Sequence, residues 1–207
     1  MIPCSLSDEP PDFDNNVRVP GNKFLQSLGR APKAKDWNGK DFWNKAKPAL
    51  KSCFRNRCAY CASWINKGPE VDHFKGKSGF PNLAYEWTNY RLACGPDNKS
   101  KPRTREVLDP LDIKENWFRV NFNTGMVSST NEVPPEFKQL ASDFIKEFEL
   151  NDHNSKETRL KWLDSARQAK PTNSHLNLIR DEMPLVARAI EEYWSQFENM
   201  SQQTWIT

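Results

Sequence analysis

Two periods of apolar residues alternate along this chain, and the change from one to the other predicts its elements. Between Asp41 and Phe54, the residues Phe42, Trp43, Ala46, Ala49, Leu50, Cys53 and Phe54 recur at helical spacing, which predicts one helix kinked at Pro48. That helix leads into Cys58-Ala-Tyr-Cys61 and a short β-prone stretch around Tyr60 to Ile65. After a turn at Gly68-Pro69, Glu70-Val-Asp-His-Phe74 is short enough to be a strand end. Trp87 to Cys94 is expected to be helical, interrupted or restarted at Gly95-Pro96. Further on, Trp117-Phe-Arg-Val-Asn-Phe122 and Met126-Val-Ser-Ser129 flank the Gly-containing turn Asn123-Thr-Gly125 and predict a β-hairpin.

The last third returns to helical spacing. Phe137, Leu140, Ala141, Phe144, Ile145 and Phe148 follow Pro134-Pro135, a helix-start signal. Ser155 can cap a second helix carrying Leu160, Leu163 and Ala166. Asn173 or Ser174 can begin a third, broken at Pro184. These stripes are read as core. The first 38 residues carry Pro3, Pro10, Pro11, Pro20 and Pro32 without periodicity and are expected to form an extended arm. The fold class is therefore α+β: an arm over 1–38, a core with its hairpin over 39–130, and a helical region over 131–207 packed on that core.

Composition narrows the class. With 37% hydrophobic and 28% charged residues the 207-residue chain can bury a core behind a polar surface, and no apolar run approaches the roughly 20 residues of a membrane helix. The N-terminal MIPCSLSDEPPDFDN lacks the basic-then-apolar layout of a signal peptide, so the expected location is the cytoplasm. Five cysteines, an odd number, then point to thiols that are buried or metal-bound and not to a disulfide framework. Charge is concentrated. From Lys75 to Arg105 seven basic residues stand against two acidic ones, a local excess larger than the net +3 of the whole chain. That is the footprint of a phosphate-backbone binder, although a solvated loop has the same composition.

Phosphodiester hydrolysis needs an activated water, a cation that stabilises developing charge, and groups that hold the backbone in line. In Val71-Asp72-His73-Phe74 an imidazole suited to proton transfer at neutral pH adjoins a carboxylate of the hard-oxygen type that Mg²⁺ prefers. Neighbours in a strand point to opposite faces, so they can flank one site at a strand end or in a twisted loop. An Asp-His dipeptide by itself is weak. Its company is more specific: Cys58-Ala-Tyr-Cys61 before it, and Asn89-Tyr-Arg-Leu-Ala-Cys94 with Asn98-Lys-Ser-Lys101 after it.

This run, CAYC…VDHF…EWTNYRLACGPDNKSK, resembles the HNH endonuclease family. The resemblance implies a ββα-metal core around one divalent Mg²⁺ or Mn²⁺. It assigns Asp72 as first metal ligand, His73 as general base, Asn89 as the residue tying the loop that positions the histidine, and Asn98 as last metal ligand. Lys101, Arg91, Lys99, Lys75 and Lys77 would contact nucleic acid, DNA in preference to RNA. Many members carry two Cys-x-x-Cys pairs on a structural zinc. Here the second pair reads Cys94-Gly-Pro-Asp97, so Cys58, Cys61, Cys94 and Asp97 could form a zinc set, but buried thiols packed without metal are the expected arrangement. Pro96 is a second departure, which bears on how Asn98 is presented.

Asp41-Phe-Trp43, Leu83-Ala-Tyr-Glu-Trp-Thr-Asn-Tyr90, Val107-Leu-Asp-Pro-Leu111 and Asn116-Trp-Phe118 are similar to a bacterial subgroup, the HNH nuclease subunits of retron and Septu-type antiphage systems. Asp109 there is read as a rigid turn residue. The resemblance implies an effector nuclease in antiphage defence. A non-catalytic nucleic-acid or partner-binding module with a degenerate HNH site is the alternative. A third reading is a nuclease held inactive until an ATPase or another defence-system subunit docks on the helical C-terminal region.

Overall fold

The computed structural model describes residues 2–66, 68–100 and 107–203, with side chains at 99–100 and 198–203 outside that description. The chain divides into two compact units. An N-terminal unit comprises Cys4–Tyr60 and Ile65–Arg103, and a C-terminal unit comprises Met1–Pro3, Cys61–Trp64 and Thr104–Thr207. Both contain helices and a small antiparallel sheet, in keeping with an α+β class. No helix among the described residues is long and apolar enough to cross a membrane.

The N-terminal segment is not an extended arm. A wide helical turn over Asp14–Arg18 continues into α1 (Val19–Leu28), which stops where Gly29 turns left-handed at φ 61°. The prolines misled because helix tolerates them here: Pro10 and Pro11 precede the helical run, and Pro20, which has no amide hydrogen to give, stands just after the wide turn Asp14–Arg18. Arg18 clasps this segment to the rest of the unit, donating to Glu9, Asp14 and Glu86 and lying 5.1 Å over the Phe13 ring. Its three carboxylate partners, Glu9 first, push the guanidinium pKa still further up.

The predicted helix over Asp41 to Phe54 forms in two parts, a 3-10 turn at Phe42–Ala46 and then α2 (Lys47–Cys53) with Pro48 in its first turn. Around Tyr60 to Ile65 the chain makes turns and an isolated bridge at Trp64 in place of a strand, with Ala62 at φ 60°. The sheet of this unit pairs β1 (Glu70–His73) with β2 (Tyr90–Ala93) in antiparallel register, Asp72 opposite Arg91 and His73 opposite Tyr90. Trp87 to Cys94 is thus not helical: a 3-10 turn at Trp87–Asn89 feeds the strand. All four β2 residues are buried, so the strand is covered on both faces and shows none of the alternation that would have marked it in sequence. The chain then restarts as α3 (Gly95–Ser100) with Pro96 in its first turn.

In the C-terminal unit β3 (Phe118–Val120) and β4 (Val127–Ser129) form the predicted hairpin, with Asn121 Oδ1 accepting from the amides of Asn123 and Thr124 and Gly125 at φ 65°. It groups with the C-terminal helices and not with the core over 39–130, because its apolar side needs a cover that α4 (Lys138–Glu147) and α7 (Pro184–Gln203) supply. Between them, α5 (His153–Gln168) is capped by Asp152, which accepts from the Ser155 amide, so Ser155 is the donor of the cap and not the cap itself. Thr172 caps α6 (Asn173–Glu182). Arg159 of α5 is buried and donates to the carbonyls of Gly125 and Leu150. Loss of water pushes its pKa down to about 10.

Gly21 is the tightest joint of the N-terminal unit, since a Cβ there would fall within the ring of Tyr85, itself fully buried. Gly21→Ala is expected to destabilise the protein by about 1–3 kcal/mol, the usual cost of overpacking. Urea unfolding followed by tryptophan fluorescence checks it, and an unchanged midpoint would contradict this packing.

Candidate functional site

β1 ends on His73, 7% exposed, and its ring is held by its neighbours. Its Nε2 lies 2.9 Å from the carbonyl of Ala84, which also accepts from the Tyr90 hydroxyl at 2.8 Å. A carbonyl can only accept, so Nε2 carries the proton and the lone pair of the neutral ring resides on Nδ1. The rings of Trp43 and Tyr90 meet the imidazole edgewise, with centroids 4.7 and 5.4 Å away. Burial pushes the Tyr90 hydroxyl well above the usual tyrosine range, so it remains a donor.

The loop that delivers Ala84 is tied at both ends by one residue. Asn89, buried, accepts from the Lys75 amide at 2.7 Å and donates to the carbonyls of Lys75 and Leu83, each at 3.0 Å. Its backbone carbonyl also accepts from Phe74 at 2.8 Å. Asn89 therefore uses its amide to close residues 75–83 into a fixed loop next to the histidine.

Asp72 points to the other face of β1. It is 4% exposed and accepts from the hydroxyl of Tyr60, which is fully buried. Burial, reinforced by the Asp72 charge, drives the Tyr60 pKa far up, so the phenol stays protonated and acts as the donor. Glu70 shares this face, two residues earlier, and accepts from Asn98 Nδ2 of α3 at 2.6 Å. Sequence reasoning missed Glu70. The spacing i, i+2 from Asp72 on a short strand was the signal available.

Arg91, expected at the phosphate, is 2% exposed: it donates to the carbonyls of Thr88 and Tyr90 and lies 4.9 Å over the Phe74 ring. Its charge acts inside the unit, opposite Asp72. Lys75 is exposed, with its ammonium 5.3 Å from the Phe74 ring, and Lys77 reaches over Trp43 at 4.9 Å and Trp37 at 5.8 Å. Lys101 and the side chain of Lys99 lie outside the described residues.

The four candidate zinc ligands do come together. The ligand atoms of Cys58, Cys61, Cys94 and Asp97 lie within 4.8 Å of one another. Cys58 Sγ donates to Asp97 Oδ2 at 2.9 Å, and the Cys94 amide points at Cys58 Sγ at 3.4 Å. Cys61 follows Cys58 by three residues, so its place in the set is a matter of local chain geometry. Four ligands about 2.3 Å from a zinc stand roughly 3.8 Å apart at tetrahedral angles, so a small inward movement of side chains suffices. This cluster could hold a metal ion, and three sulfurs suit zinc far better than magnesium.

No family model matches the chain. A curated relative does. Over 116 residues the chain is 36% identical to Septu protein PtuB of Bacillus thuringiensis, a match that spans 54% of this chain and 41% of that protein. The chain is thus a distant homologue of a Septu protein over about half its length, and the match spans less than half of that relative.

Two measurements follow from this geometry. Loading the purified protein with Co²⁺ is expected to produce the thiolate charge-transfer band and the visible bands of a tetrahedral site at one ion per chain, and Cys94→Ser is expected to weaken both. Spectra of free Co²⁺ alone would contradict the set. Tyr60→Phe withdraws a donor from the buried Asp72 carboxylate and is expected to cost about 1–3 kcal/mol in urea unfolding, whereas Lys75→Ala should stay within about 0.5 kcal/mol.

Proposed function

We propose that this protein is a metal-dependent endonuclease of the HNH type, with a ββα-metal core formed by β1, β2 and α3, acting in antiphage defence. The observation that carries the reading is the preset imidazole: Nε2 of His73 is committed to the Ala84 carbonyl, whose loop Asn89 closes, so Nδ1 is the basic nitrogen before any substrate arrives. The kinship to a Septu protein supports the defence role.

In this reading His73 takes a proton from water as the water oxygen attacks phosphorus, and the bond from phosphorus to the 3′ oxygen breaks, leaving a 5′ phosphate. Asp72 and Asn98, named by the sequence, and Glu70 on the same side of β1 are oxygen donors of the kind Mg²⁺ or Mn²⁺ prefers. With Asn98 Nδ2 turned toward Glu70, its carbonyl oxygen faces away from that carboxylate. A divalent cation bound there would supply charge stabilisation at the leaving oxygen. The Tyr60 hydroxyl donates to Asp72 in its buried setting and Arg91 stands opposite it in the sheet, and Lys75 and Lys77 supply positive charge for the backbone, with Lys99 and Lys101 in the same role. The substrate is DNA in preference to RNA, and the helices of the C-terminal unit are the docking region for another defence-system subunit.

His73→Ala is expected to lower plasmid nicking in Mg²⁺ or Mn²⁺ by at least about 100-fold while far-ultraviolet circular dichroism stays unchanged. Undiminished cleavage by that variant would remove His73 as the base. Salt-dependent binding with no cleavage in Mg²⁺, Mn²⁺ or Ni²⁺ would replace the enzyme with a non-catalytic binding module.

A further inference from the structure

The surroundings of His73 hold an aromatic surface that proton transfer does not use. Trp43, half-buried in the 3-10 turn at Phe42–Ala46, sets its ring 4.7 Å from the imidazole. Tyr85 stacks on it at 5.7 Å with 29° between planes, and Trp37 and Phe42 meet that same tyrosine. The Lys77 ammonium lies over the indole at 4.9 Å. Lys77 comes from the loop that Asn89 closes, and the same loop carries Phe80, 48% exposed.

Resting on the nuclease reading of His73, we infer that Trp43 is a stacking platform for an unpaired nucleobase beside the scissile phosphate, with Lys77, beside the indole, as the cation for the neighbouring phosphate. The indole is backed by Tyr85 and therefore stiff, which lowers the entropy lost when a base lies on it. Lys77 sets a cation against the same indole, and an ammonium on a phosphate makes a charge-assisted hydrogen bond. A base inside a duplex keeps both faces covered by its neighbours, so a stacking platform at the reacting phosphate selects single strands, loops or opened ends. Every base offers such a face, so the platform sets strand state and not sequence. Phe80 adds a second aromatic side chain on the loop that carries Lys77.

The test uses the full chain carrying His73→Ala, so that the probes stay intact. Anisotropy with a short labelled DNA strand, the same strand as RNA, and its blunt DNA duplex is expected to give single strands of one or both sugars at least tenfold tighter binding than the duplex. Trp43→Leu is expected to weaken single-strand binding about tenfold and duplex binding little, and Trp43→Phe to restore most of the loss. Lys77→Ala should reduce the salt dependence by about one ion. A 2-aminopurine in the strand should be quenched on binding and regain its emission with Trp43→Leu. If Trp43→Leu melts early, the Phe variant, the Lys77 variant and the 2-aminopurine signal in the parent decide. Duplex preference, or single-strand binding and 2-aminopurine emission indifferent to Trp43, overturns the inference while cleavage by the unmutated chain leaves the nuclease reading standing. Binding that depends on Trp43 without cleavage in any metal does the reverse, rejecting the nuclease and keeping the stacking site.

Discussion

A buried asparagine whose amide is spent entirely on backbone governs the N-terminal unit. Asn89 satisfies three main-chain groups of Lys75 and Leu83, and through them it fixes where Ala84 presents its carbonyl. That carbonyl in turn selects the imidazole tautomer of His73 and accepts the Tyr90 hydroxyl. A loop of this length closed by solvent-exposed contacts would sample many shapes. Tying its ends with a buried amide narrows that range, because each unmade bond would leave a polar group of Asn89 without its partner.

Charge follows the same logic of commitment. Asp72, opposite Arg91 in the sheet, is buried against a phenol that burial keeps protonated. Arg159 in the other unit is buried among carbonyl oxygens and loses part of its hold on its proton for that reason. Lys75 and Lys77, by contrast, set their ammonium groups over aromatic rings.

Much of this was legible in the sequence where chemistry is local. Asp72, His73 and Asn89 stand in a spacing that names their neighbourhood, and the structure sets His73 beside the loop that Asn89 closes. The hairpin at Phe118 to Ser129 announced itself through alternation around Gly125. Tyr90–Ala93 did not, because a strand buried on both faces has no polar side to alternate with, and its apolar run reads equally as helix. Glu70 was hidden for a different reason: its partner Asn98 lies 28 residues away and becomes visible once β1 and α3 are packed. The arm was misread through its prolines, whose meaning depends on whether they precede a helix or interrupt one. The four candidate zinc ligands were legible as a set, but their convergence depends on Cys94 returning beside Cys58, which is a property of the sheet.

The contacts that seat the first residues have a kinetic side. Ser7 accepts from the Trp87 indole across 80 residues of sequence, and Arg18 reaches Glu86 across 68. A chain emerging from the ribosome holds its first segment without these partners until the second strand of the sheet has been made. The surroundings of His73, which need β2 and the Tyr90 hydroxyl, therefore form after synthesis has passed that strand.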